Sequence, residues 1–99
     1  VKRNRVSRLL EPRVGDVTKL PPRARVKYDV VCANLYYDLL TANAHRLIAR
    51  MKPGGVLILA GILETQFAEV QTAVKGRGMR LKKTTRQGEW QSGVFVHAA

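Results

Sequence analysis

Two nearly continuous apolar runs restrict this chain more than any other feature: Tyr28-Asp29-Val30-Val31-Cys32-Ala33 and Val56-Leu57-Ile58-Leu59-Ala60-Gly61-Ile62. β-Branched and aliphatic residues without polar alternation are expected where a strand is buried on both faces, as in a parallel sheet covered by helices. Between the runs, Tyr36, Leu39, Leu40, Leu47, Ile48 and Met51 recur at helical spacing, with Tyr37, Asp38, Asn43, Arg46 and Arg50 on the other side. The spacing predicts an amphipathic helix of about four turns whose core stripe includes Tyr36. Lys52 suits the negative end of its dipole, and Pro53-Gly54-Gly55 is expected to stop it. Strand, helix and strand then form one βαβ unit with a right-handed parallel crossover.

The flanks extend the same sheet. A short strand is expected from Leu9 to Val14, closed by Gly15-Asp16, followed by an irregular loop through Pro21 and Pro22 to Lys27. Leu63, Phe67, Val70 and Val74 predict a second, shorter helix ending at Gly76 and Gly78. Met79 to Thr85 and Trp90 to His97 carry strand formers around Arg86-Gln87-Gly88-Glu89, which predicts an antiparallel hairpin closing the sheet edge. The fold class is therefore α/β, with parallel strands and a terminal antiparallel hairpin. At 99 residues the chain holds one small domain, divided into a basic arm (1–27) and the α/β portion (28–99).

Eighteen Lys and Arg against seven Asp and Glu give a net charge of +11, and nine of the bases fall in residues 1–27 beside only Glu11 and Asp16. Such an arm attracts polyanions by counterion release, which makes RNA, ribosomes or DNA natural nonspecific partners. The competing reading is a solvated helix end and loop whose charge keeps the chain soluble. The longest apolar stretch, Val56 to Leu63, is far short of the ~20 residues that cross a bilayer. No secretory signal pattern opens the chain, so it reads as cytoplasmic. Cys32 is the only cysteine, so neither an intramolecular disulfide nor a cysteine-based zinc site is expected, and it reads as a small core hydrophobe. His45 and His97 lack a second ligand at metal spacing, so no metal is expected.

In open α/β sheets, ligands bind outside the carboxyl ends of the parallel strands. The residues there are Gly15-Asp16-Val17, Ala33-Asn34-Leu35-Tyr36 and Gly61-Ile62-Leu63-Glu64. Asn34 stands out, because its amide offers a donor and an acceptor without net charge; the bland alternative is a helix cap or loop residue. Asp16 would receive an adenine amino group or cap a turn. Tyr36, Tyr37 and Trp90 are candidates to wall a pocket for a cation, although the helical stripe assigns Tyr36 to the core. No catalytic triad, paired carboxylates, phosphate loop or GxGxxG is present.

Together these pieces resemble the carboxyl-terminal half of a class I S-adenosylmethionine-dependent methyltransferase. The resemblance rests on Val14-Gly15-Asp16, on the strand Tyr28 to Leu35, and on Lys52-Pro53-Gly54-Gly55-Val56-Leu57-Ile58-Leu59. Ala33-Asn34-Leu35, Gly61-Ile62-Leu63 with Gln66 and Val70, and Gly88-Glu89-Trp90 make the chain similar to the ribosomal protein methyltransferases of the PrmA type. That resemblance implies a Rossmann-like half-sheet, S-adenosylmethionine as cofactor, and amino groups of a ribosomal protein as acceptor. It implies Asn34 as the catalytic candidate, and Asp16, Val17, Asn34 and Leu35 as cofactor-binding candidates. The family's glycine-rich loop and its acidic ribose-holding residue would lie before Val1. Two strands of the class order are then missing between Leu9–Val14 and Tyr28–Ala33, so residues 1–27 are expected to lose their sheet neighbours. The exposed edge would invite self-association, and the chain reads as a fragment or a truncated, noncatalytic relative. The rival reading is a noncatalytic module binding RNA or ribosomes through Lys2 to Lys27. Methylation of RNA or of a small molecule on the same fold is a third.

Overall fold

A computed structural model describes residues 8–12, 17–24 and 26–98. In chain order the elements are β1 (Leu9–Leu10), β2 (Tyr28–Asn34), α1 (Tyr37–Ile48), β3 (Met51–Leu63), α2 (Phe67–Lys75), β4 (Met79–Gln87) and β5 (Trp90–His97). The strands form a single sheet of order β1-β2-β3-β5-β4. The first three are parallel, while β5 runs antiparallel to both β3 and β4. The expected α/β class, βαβ unit and terminal hairpin are all present.

One sheet face carries the core. Val31 and Ala33 of β2, Leu57, Leu59 and Ile62 of β3, and Phe95 of β5 are buried together with Leu40, Ala44 and Leu47 of α1 and Phe67, Val70 and Val74 of α2. The alternate residues Val30, Cys32, Ile58, Ala60, Val94 and Val96 are only half-buried. The expectation of strands buried on both faces is thus corrected: both helices pack on the same face, and among the described residues none of the helices covers the other.

The first helix is shorter than its sequence pattern predicts. It ends at Ile48, and Ala49 and Arg50 turn the chain directly into β3. Basic side chains and the start of β2, not proline or glycine, meet the carbonyls at its end and in the turn that follows. Arg50 Nη1 donates to Arg46 O at 2.7 Å, Lys27 Nζ donates to Ala49 O, and Tyr28 N donates to Arg50 O at 2.7 Å. Lys52 to Gly55 lie inside β3 as an irregularity opposite Asp29, since Tyr28 pairs with Met51 and Val30 with Val56. A Cβ at Gly55 would stand 2.9 Å from Asp29 O, so the strand passes there only as glycine.

Two residues assigned to the polar side of that helix are buried instead: Asn43 is 3% exposed and Arg50 6%. Their polar atoms are met locally, Asn43 Nδ2 donating to Leu39 O at 2.9 Å and Arg46 Nη1 donating to Asn43 Oδ1 at 2.7 Å. Tyr36, expected in the core, is 69% exposed, because α1 begins one residue after it.

The expected loss of sheet neighbours is corrected for Leu9 and Leu10, and the strand expected over Leu9–Val14 is cut to these two residues: Glu11 and Pro12 lie outside it, and residues 13–14 lie outside the described residues. β1 pairs directly with β2, Leu9 opposite Val30 and Leu10 opposite Val31. Arg8 N donates to Asp29 Oδ2 at 2.9 Å, and Arg8 O accepts from the Asp29 and Val30 amides, each at 3.0 Å. The lower part of the β2 edge is thereby occupied.

Candidate active site

The carboxyl ends of β2 and β3 lie side by side, with Ala33 opposite Leu59 and Asn34 opposite Ala60. Beyond that pair β3 turns through Gly61 at φ +77, where its register with β5 shifts. Positive φ suits glycine, and here a second constraint coincides with it. A Cβ on Gly61 would sit 2.1 Å from Asn34 Oδ1 and 3.2 Å from Asn34 Cγ. The missing side chain of Gly61 is the space that the Asn34 carboxamide occupies, so a backbone feature of one strand fixes the polar group ending its neighbour.

Asn34 is the last residue of β2, whereas the N-cap position of α1 belongs to Tyr36 and carries no side-chain cap bond. The helix-cap alternative for Asn34 is therefore removed. Asn34, Leu35, Tyr36, Gly61 and Trp90 line an open cleft of about 450 Å³. A second cleft of about 290 Å³ shares Tyr36, Gly61 and Trp90 and adds Tyr37, Asp38, Leu63 and Gln66. Asp38 lies in the first turn of α1, where the helix dipole favours a carboxylate.

The candidates fare differently. Asn34 and Leu35 both line the larger cleft, Asn34 exposed and Leu35 buried beneath. Val17 is wholly buried in the core and its side chain does not line that cleft. Asp16 lies outside the described residues, as do Lys2, Arg3 and Arg5 of the basic arm. Gly61 was legible as an isolated glycine in an apolar run, a sign of a bulge or a close backbone approach, but its partner was not. Trp90, 47% exposed at the start of β5, enters the cleft because the hairpin sets it opposite Leu63 and Gln87.

Cys32 is half-buried on β2, and burial, followed by the Glu11 carboxylate, pushes its thiol up. That is the opposite of an activated nucleophile. Among the described residues, no group of three His, Cys, Asp or Glu side chains is placed to hold a metal, and no helix is long and apolar enough to cross a membrane.

The cleft can do a limited set of things. It offers an uncharged amide, two exposed aromatic rings suited to a cation, and one carboxylate in the adjoining space, without a nucleophile. A cationic ligand reacting through orientation fits it better than acyl or phosphoryl transfer.

Comparison with known proteins identifies the relatives of this chain. The model of the family described as ribosomal protein L11 methyltransferase (PrmA) matches residues 1–97. The ribosomal protein L11 methyltransferase of Desulforapulum autotrophicum is 39% identical over 64 residues, 65% of this chain and 21% of that protein. That of Geobacter metallireducens is 41% identical over 69 residues, 70% of this chain and 23% of that protein. Among solved structures, a ribosomal protein L11 methylase from Lactobacillus delbrueckii subsp. bulgaricus superposes with a TM-score of 0.72 at 20% identity, covering 77% of this chain and 40% of that one. The chain thus spans about a quarter or less of the curated relatives it matches.

Proposed function

This chain belongs to the ribosomal protein L11 methyltransferase (PrmA) family, and from that premise we propose that it carries the acceptor-facing part of an S-adenosylmethionine-dependent site that methylates amino groups of a ribosomal protein. L11, named for its relatives, is the first acceptor to test. The observation that carries this reading is the Asn34 carboxamide seated against Gly61 at the paired strand ends.

The residues fit the methyl-donor end of a sulfonium cofactor. Tyr36 and Trp90 offer exposed ring faces to a cation, and Asn34 and Leu35 would flank it in the same cleft. Asp16 is the proposed contact on the adenine side, while Val17, wholly buried, would serve that side only from within the core. When bound, the cofactor supplies an electrophilic methyl group.

The chain's own part is placement. A lysine amine with a reference pKa of about 10.4 is protonated at neutral pH and must give that proton to solvent water before attack. Asn34 Oδ1 would accept a hydrogen of the neutral amine and aim its lone pair along the line of displacement. Orienting two reactants in this way contributes on the order of 7–11 kcal/mol in favourable cases. Asp38, in the adjoining cleft, would draw the cationic side chain inward, and Tyr36 and Trp90 would shed water from its methylenes. We place the reaction in the cytoplasm, where ribosomal proteins are made.

The test combines calorimetric titration of S-adenosylmethionine into the chain with methyl transfer to purified L11. Saturable binding that falls at least about tenfold in Asn34→Ala, the loss of roughly one well-made hydrogen bond or more, with an unchanged circular dichroism spectrum, supports the proposal. Equal affinity and equal turnover in the two proteins would remove Asn34 from the site.

A further inference from the structure

The sheet face that the helices leave uncovered is not uniform. Along β5 the alternation that buries Gly93 and Phe95 in the core sends Trp90, Ser92, Val94 and Val96 to the other side. Their partners on the edge strand β4 are Gln87, Thr85, Lys83 and Arg80, and directly opposed residues share a face.

Simple alternation from Arg80 would have turned Lys83 toward the core. A bulge intervenes: Leu81 pairs with Phe95 and Lys83 with Val94, leaving Lys82 outside the pairing. The extra residue brings Lys83 onto the same face as Arg80, a re-aiming that bulges commonly perform. All three cations are exposed, and the ion pairs found among the described residues, Lys52–Asp29 and Arg86–Glu64, involve none of them. Between Glu69 and Glu89 the sequence has no carboxylate, yet it holds six Lys and Arg.

At the other end of this face is a cleft of about 170 Å³ beside Trp90, whose lining includes Thr85, Gln87 and Ser92. One indole, hydroxyl and amide groups, and a row of cations therefore lie along roughly 20 Å of a single strand pair. Single-stranded nucleic acid is recognised by this combination: a base stacks on an aromatic ring, its edge and sugar hydroxyl meet polar side chains, and phosphates follow the cations. Lysines alone would be enough to guard an edge strand against pairing, but that role calls for neither the indole nor the cleft.

We propose that the β4–β5 face binds single-stranded RNA, with Trp90 stacking on a base and Arg80, Lys82 and Lys83 holding phosphates. The choice of RNA over DNA rests on the proposed function, because the acceptor is then a protein of an RNA particle; the stacking and charge argument stands without it.

Trp90 is the chain's only tryptophan and also borders the proposed cofactor cleft, so its emission, recorded without S-adenosylmethionine, reports on this face without any substitution. Titrating a short single-stranded RNA should quench Trp90 saturably, and anisotropy of labelled RNA should give the same affinity. With about 0.7 counterions released per phosphate on a single strand, replacing Arg80, Lys82 and Lys83 by Thr should lower the salt slope by about 2. It should also weaken binding at low salt at least about tenfold. Removing Lys2, Arg3 and Arg5 instead should leave Trp90 quenching in place. RNA binding without a change in Trp90 emission, loss of binding only in the arm variant, or the absence of any binding would overturn the proposal. Equal affinity for DNA of the same sequence would overturn the commitment to RNA. Methyl transfer to L11 in the absence of RNA is a separate readout, so failure of one reading leaves the other standing.

Discussion

Gly61 shows how much a single residue can carry. Its φ of +77 and its 2.1 Å approach to Asn34 Oδ1 are separate constraints, and the chain contains a control for telling them apart. Gly54 has a similar φ of +82 but nothing within 4 Å of a built Cβ. Gly54→Ala should therefore lose only the backbone term, about 1–2 kcal/mol in urea denaturation. Gly61→Ala should lose that and in addition displace the Asn34 amide, lowering affinity for S-adenosylmethionine, which Gly54→Ala should leave unchanged. The excess loss of stability should also shrink in an Asn34→Ala background, since the clashing atom is gone. If the two glycine variants behave alike in both measurements, Gly61 does not position Asn34. Asn34 itself was legible in the sequence as a polar residue at a strand end. Its contact with Gly61 was not, because register between strands is a tertiary property. Helical periodicity assigns Tyr36 to the core because the apolar spacing begins one residue before α1 does, and spacing alone does not mark where the backbone enters the helix.

At the scale of elements, the apolar patterning anticipated the strands and helices of residues 28–98 but misplaced some ends. Met51 continues the helical spacing of α1, yet it pairs with Tyr28 in β3, and the hydrogen bonds of Lys27 and Arg50 that close the helix earlier have no sequence signature of their own. Packing between elements is equally hidden until the sheet is assembled. Gly93 on β5 looks dispensable in the sequence, but a Cβ there would stand 2.8 Å from Phe67 Cζ, 2.9 Å from Phe95 Cε1 and 3.1 Å from Leu81 Cδ1. Phe67 and Phe95 stack with ring centroids 6.3 Å apart, joining α2 to the sheet at this glycine. Gly93→Ala should therefore destabilise by about 1–3 kcal/mol through overpacking, although alanine is the better strand residue. Phe67→Leu should be costly alone but relieve part of that loss in the double variant, giving a coupling term in a double-mutant cycle on urea midpoints. Strictly additive losses would mean that the rings are not what excludes a side chain at position 93.

For the molecule as a whole, the apolar runs announced a sheet with two covered faces, but the described residues cover one. On the second face the apolar residues Val30, Cys32, Ile58 and Ala60 stay half-buried, so an unbroken apolar run reports strand formation and not how many helices cover the sheet. Charge makes a further statement at this scale. A net +11 on 99 residues is self-repulsive in the compact state, and the described ion pairs, Lys52–Asp29 and Arg86–Glu64, are both substantially exposed, where such pairs contribute little. Repulsion among many cations should therefore outweigh attraction within these pairs. Raising sodium chloride from about 0.01 to 0.15 M shortens the screening length from roughly 30 to 8 Å, which removes most of the long-range repulsion. The midpoint of thermal unfolding should rise by about 4 °C or more, corresponding to roughly 1 kcal/mol for a domain of this size. Arg80, Lys82 and Lys83 contribute to the same repulsion, so replacing all three by Thr should raise the low-salt midpoint and flatten its salt dependence. A midpoint that falls with salt, or a triple variant that is less stable at low salt, would show that these cations are held by attractive partners within the fold and are not a free surface.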